Sequence, residues 1–148
     1  MRSFAPASLL RVWFNRAPPG QPQKHTHMND EDILNREKWV RVMCDYYAEG
    51  VWDAAGRACS AQNLPVSQDI RNMLLGWQAW FDWHDPAPPS ARVGQFDHAA
   101  HNAFGLFIAR RIKEALPDWT VVFFDELKGD RDSFQYEITL DSEGRFGP

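Results

Sequence analysis

Between residues 42 and 53 the chain reads VMCDYYAEGVWD, which places Cys44, Asp45, Tyr46, Tyr47, Glu49, Trp52 and Asp53 close together. A thiol beside a carboxylate can serve nucleophilic catalysis if a base within hydrogen-bond reach takes the thiol proton. The enzyme reading pairs Cys44 with His101 or His84; His98 is the remaining candidate base. Against it, no thiol-hydrolase signature surrounds Cys44. The alternation of Val40, Val42, Cys44 and Tyr46 also puts the thiol on an apolar strand face, where thiols are normally inert. No catalytic residue is therefore expected here. The alternative use of the stretch is a binding rim in which carboxylates steer a partner and rings bury area against it. Asp45, Tyr47, Glu49, Trp52 and Asp53 are its candidates, joined by Trp83 at the end of a later helix.

The segment FDHAAH offers metal chemistry. On a helix, His98 with His101, or Asp97 with His101, would stack on one side. Two ligands do not make a site, and no third is marked out by spacing. His101 also falls beside Phe104 and Ile108, which suits a hydrogen-bonded histidine at the core boundary. No metal or other cofactor is expected. Gly-rich phosphate loops, GxSxG, HExxH and kinase signatures are all missing from the sequence.

The elements that must carry these groups can be read from periodicity. Residues 39–46 alternate with period two and predict a strand. A weak partner strand is conceivable around Arg57–Ser60. Ser67 is a suitable N-cap, and Ile70, Met73, Leu74, Trp77, Trp80, Phe81 and His84 then recur at helical spacing. The stretch DPAPPSARVGQ reads as a loop. A second helix is predicted from about Phe96 to Leu116, with Ala100, Phe104, Phe107, Ile108, Ile112 and Ala115 as its apolar stripe and Pro117 as its stop. Arg111 falls within that stripe and is expected to lay its methylenes on the core and reach Asp125 or Asp45. DWTVVFFDE is apolar on both faces, which predicts a strand in the centre of its sheet. Residues 133–140 alternate cleanly, with Phe134, Tyr136, Ile138 and Leu140 inward, and predict the other half of an antiparallel hairpin. The fold class is α+β: a two-layer β-α-α-β-β arrangement, with a small, mainly antiparallel sheet and two amphipathic helices on one face.

Composition bounds the rest. With 148 residues, 44% of them apolar, seven Trp and ten Phe, the chain suits one domain with a substantial core. No apolar run approaches the roughly 18 residues that span a bilayer. The two cysteines, Cys44 and Cys59, form no CxxC motif and read as reduced thiols of a cytoplasmic protein. Residues 1–27 carry Arg2, Arg11, Arg16 and Lys24 but no acid, and the prolines at 18, 19 and 22 prevent regular structure. Arg11 interrupts any secretory core. A transit peptide, a disordered basic tail, and a true start at Met28 remain open. The expected organisation is that tail, one domain over 28–140, and a frayed end over 141–148. All 20 acidic residues lie after position 27 with 12 basic ones, so the domain is near −8. Such a domain is repelled by phosphate backbones and attracted to a basic protein.

The stretches VRVMCDYYAEGVWD, LPVSQDIRNMLLGWQAWFD and IARRIKEALPDWTVVFFDE together resemble a group of small bacterial proteins that look like immunity proteins of contact-dependent or polymorphic toxin systems. The resemblance covers about residues 39–126 and rests mostly on core positions. It departs at Phe123 or Phe124, where a Tyr is expected, and residues 1–27 have no counterpart. It implies a cytoplasmic protein that binds and neutralises a toxin domain, with no enzymatic activity. An adaptor or regulatory domain with another partner is the further alternative.

Overall fold

The computed structural model describes residues 30–83, 96–128 and 134–147. The readings of residues 1–27, of the loop DPAPPSARVGQ and of His84 fall outside them. In chain order the elements are α1 (Asp30–Glu37), β1 (Trp39–Val42), β2 (Val51–Trp52), β3 (Ala58–Cys59), a 3-10 turn (Ala61–Asn63), α2 (Gln68–Trp83), α3 (His98–Ala115), β4 (Thr120–Phe124) and β5 (Gln135–Glu137). Helix α1 was not anticipated: it is only eight residues long, too short for a periodic stripe, although Ile33 and Leu34 are buried. Lys38, at φ 47°, turns the chain from α1 into β1.

The two long helices start where their caps dictate. The Ser67 hydroxyl accepts from the Ile70 amide at 3.4 Å, and the Asp97 carboxylate accepts from the Ala100 amide at 2.8 Å. Helix α2 buries Ile70, Leu74 and Trp77, as its spacing predicts. Helix α3 is rotated from its expected stripe. It turns His101, Asn102, Gly105, Ile108, Ala109, Ile112 and Lys113 inward and leaves Phe107 exposed. The reason is Gly105: a Cβ there would lie 2.3 Å from Cζ2 of Trp77, so only glycine admits the indole against the helix. Arg111 is carried outward by the same rotation. It pairs with Glu114 at 2.9 Å in solvent and reaches neither Asp125 nor Asp45.

The sheet has the order β3-β2-β1-β4-β5. Three of its contacts are antiparallel. The contact between β1 and β4 is parallel, with Val40 opposite Val121 and Val42 opposite Phe123. The small α+β fold is thus as expected, built on a mixed sheet. Strand β4 is flanked on both sides, as its apolar pattern requires, but the middle strand is β1. On one face Val40, Val42, Val51, Val121 and Phe123 meet Ile70, Leu74, Trp77, Ile108, Ala109 and Ile112 in the main core. On the other, Met43, Ala48 and Trp52 form a smaller cluster with Phe124. Residues 141–147, expected to fray, carry a hydrogen-bonded turn in which Leu140 bridges Phe146 and the Asp141 carboxylate accepts from the amides of Glu143 and Arg145. Among the described residues, no helix is long and apolar enough to cross a membrane.

Candidate functional site

Because β1 and β4 run parallel, both finish at the same edge of the sheet, and the segments that leave the two strands are brought together. Cys44 and Asp45 lie just past the end of β1, and Asp125 and Glu126 just past the end of β4. The last turns of α2 bring Gln78 and Asp82, and the first turn of α3 brings His101 and Asn102. An antiparallel pairing would have sent the two strand ends to opposite edges.

At the bottom of this convergence lie Cys44 and His101, the pair the enzyme reading requires. The sulfur is 3.8 Å from Nε2 of His101, and both groups are buried. Nε2 also sits 3.2 Å from the Trp77 carbonyl oxygen. A carbonyl only accepts, so Nε2 carries its hydrogen toward that oxygen and is not free to receive the thiol proton. The bond is returned, since the indole N–H of Trp77 donates to the His101 carbonyl at 2.8 Å and the two rings stack 5.0 Å apart. Histidine and tryptophan therefore clamp α2 to α3. Burial pushes the Cys44 thiol far up from its ordinary range, and the carboxylates of Glu126, Asp82 and Asp45 push it the same way. A protonated thiol is not a nucleophile. Cys59 is also a buried thiol, its sulfur donating to the Arg57 carbonyl at 3.6 Å.

Above the clamp sit four carboxylates. Asn102 organises two of them: its Nδ2 donates to Asp125 at 3.0 Å while its Oδ1 accepts from the Glu126 amide at 3.1 Å. Burial raises the Glu126 carboxyl to about 7, with the charges of Asp125 and Asp45 adding to the effect. Burial also raises Asp45, against the lowering effect of the Tyr46 amide that it accepts from. Gln78 is buried beneath them, its Nε2 donating to the Asp45 carbonyl at 2.8 Å and to Asp82 at 2.9 Å. Those two acceptors fix the orientation of the amide, and its Oε1 is left buried without a donor. Within two residues of these carboxylates in the chain stand exposed large side chains: Tyr46 is 47% exposed, Tyr47 fully, Trp83 46% and Leu127 54%. Tyr46 leans on Phe81 with ring centres 5.5 Å apart.

The residues singled out from the sequence divide sharply. Asp45 is one of the four carboxylates, Tyr47 is exposed two residues after it, and Trp83 is exposed one residue after Asp82. Glu49 is tied down, its carboxylate accepting from the Ser60 hydroxyl and the Ala61 amide at 2.9 and 2.7 Å. Trp52 and Asp53 are not on the surface at all, being 6% and 1% exposed. The Trp52 indole donates to the Met43 carbonyl at 2.9 Å. Asp53 closes the β2–β3 turn by accepting from the amide and side chain of Arg57 at 2.9 and 2.7 Å. The turn at Gly50 and the register of β2 on β1 fold this segment under the sheet, so proximity in sequence to Tyr47 did not carry over to space. Asp97 is occupied as a cap and His98 packs on Phe96, 4.7 Å between ring centres. No group of three possible metal ligands occurs among the described residues. The sequence reading missed Gln78, Asp82, Asn102, Asp125 and Glu126. Its one usable signal was the acidic pair that ends an otherwise apolar strand in VVFFDE.

A small mixed-sheet α+β protein, with carboxylates and exposed rings where its parallel strands end, is the class that fold and site define. The family described as Serratia CdiI immunity protein-like matches residues 38–126, from the residue before β1 through the acidic pair after β4. The match spans more than half of the chain, and the chain belongs to this family. A search of curated proteins gave no match.

Proposed function

We propose that this is a cytoplasmic immunity-type protein that binds and neutralises a basic toxin domain, using the rim at the ends of β1 and β4. The observation that carries the reading is the gathering of Asp45, Asp82, Asp125 and Glu126, with the exposed Tyr46, Tyr47, Trp83 and Leu127 within two residues of them in the chain. Carboxylates arranged in this way speed encounter with a basic surface, and exposed rings bury area with little loss of side-chain entropy. Membership of an immunity protein-like family supports a protein toxin as the partner. Relative to the sequence reading, the rim keeps Asp45, Tyr47 and Trp83. It sets aside Trp52 and Asp53, which have no surface to offer.

The test is co-expression with a toxin-like domain taken from a neighbouring reading frame, together with a binding measurement between the purified proteins. Protection of the cells and a stable complex are expected. Failure of both would end the reading. Cys44→Ser should protect as well as the parent, because the thiol is a buried neighbour of the helix clamp. A folded Cys44→Ser protein that binds its toxin but no longer protects would point instead to thiol chemistry.

A further inference from the structure

Among the described residues, no lysine or arginine forms an ion pair with any of the four rim carboxylates, although five other ion pairs are made elsewhere. Among the described residues, the charges acting on Glu126 are those of Asp125 beside it and Asp45 from the end of β1, and Asp82 from α2 joins them around Cys44, whose sulfur lies 3.8 Å from His101. Lys128, two residues further on, lies over the Tyr136 ring, 4.4 Å from its centre, and forms no ion pair with the four carboxylates. Within the same cluster, almost completely buried, Gln78 holds an amide oxygen with no donor. Acceptors thus outnumber donors at this one place. The cluster would be balanced by a cation carrying several N–H donors in different directions. Of the natural side chains, arginine has that form: a planar fork of five donors on a long stem.

We propose that the cluster is a socket for one arginine side chain of the partner, received between Asp45 and Glu126 over Gln78, with Glu126 releasing a proton as the arginine enters. This rests on the binding reading above and adds to it the chemistry of the central contact. A free Glu126 carboxyl near 7 holds its proton for much of the time at neutral pH, which lessens the repulsion among four crowded acids. An entering guanidinium reverses that balance.

Two measurements test the socket on the full chain. The first needs no toxin: the Glu126 carboxyl is titrated by carbon NMR, alone and with arginine amide, with potassium chloride matching the ionic strength. Arginine amide should move the titration of Glu126 to lower pH relative to potassium. An unchanged midpoint overturns the socket. The second tracks affinity for the neighbouring toxin domain from pH 8 to pH 6. A group that must lose one proton from about 7 predicts roughly tenfold weaker binding at pH 6. Glu126→Gln, close in shape, should abolish most of that dependence. If the toxin binds with the same pH profile in Glu126→Gln, the socket is wrong while the binding reading stands. If no toxin binds, the reading itself has failed.

Discussion

Tyr46–Tyr47 and Trp52–Asp53 are separated by four residues and have the same chemistry in sequence, aromatic rings beside acids. In the structure they have opposite fates. The tyrosines stand in solvent at the end of β1, while Trp52 lies under the sheet in the small cluster with Met43 and Ala48, and Asp53 is sealed into a turn. The difference between them is backbone. Tyr47 itself adopts φ 63° and Gly50 φ 80°, and these two left-handed residues reverse the chain so that Val51 and Trp52 can pair back on Val42 and Arg41. A rim and a scaffold can therefore share one short segment, and residue type does not say which is which. The sharpest ways to break this contrast are substitutions on either side of the reversal.

The largest effect is expected at Trp52. Removing a buried indole leaves a cavity and an unpaired Met43 carbonyl, so Trp52→Ala should lower stability by about 3–5 kcal/mol. Chemical denaturation measures it, and a loss under about 1 kcal/mol would show that Trp52 does not hold the second cluster together. Next is Asp53→Ala. It removes the acceptor for the Arg57 amide and side chain, which should cost about 1–3 kcal/mol, mostly through the turn, because Arg57 itself is well exposed. Arg57→Ala should cost less than Asp53→Ala. The reverse order would place the importance in the exposed ion pair and contradict the turn argument.

How much of this could be read from the chain depends on the range of the forces involved. Caps and alternation are local, so Ser67, Pro117 and the in-out pattern of residues 134–140 were legible. Strand β3 was foreseen around Arg57–Ser60 because Gly56 and Pro65 bracket it. The rotation of α3 was not, since the apolar pattern weighs Phe107 above Gly105 and cannot know that Trp77 needs the missing Cβ. The Cys44–His101 proximity was among the pairings the residue types allow, but the Trp77 carbonyl that occupies the imidazole was invisible. The acidic rim was the least legible part. Asp45, Asp82 and Glu126 lie about forty residues apart: the parallel pairing of β1 with β4 brings Asp45 and Glu126 to one edge, and the end of α2 adds Asp82. Long-range pairing leaves no spacing to read.

The smallest predicted effect on stability is also the most discriminating, and it falls on Tyr47. A fully exposed tyrosine gains nothing from burial, yet this one sits at φ 63°, where its Cβ is crowded and glycine is at ease. Holding a non-glycine residue there costs about 1 kcal/mol or more. A residue kept only for the fold would relieve that strain. Tyr47→Gly should therefore leave the domain as stable as the parent or up to about 1 kcal/mol more stable, glycine's greater freedom in the unfolded chain offsetting part of the gain. If the rim is the binding surface, the same change should speed dissociation from the toxin domain, with a loss of about 2 kcal/mol if the ring is an anchor. Tyr47→Ala separates the two causes, because it removes the ring but keeps the left-handed strain: its stability should stay at the parental level while its binding falls with that of the glycine variant. Unfolding curves and dissociation rates on the two variants measure both. A glycine variant that is less stable and still binds would make Tyr47 scaffold like Trp52, and the contrast between the two halves of the segment would be lost.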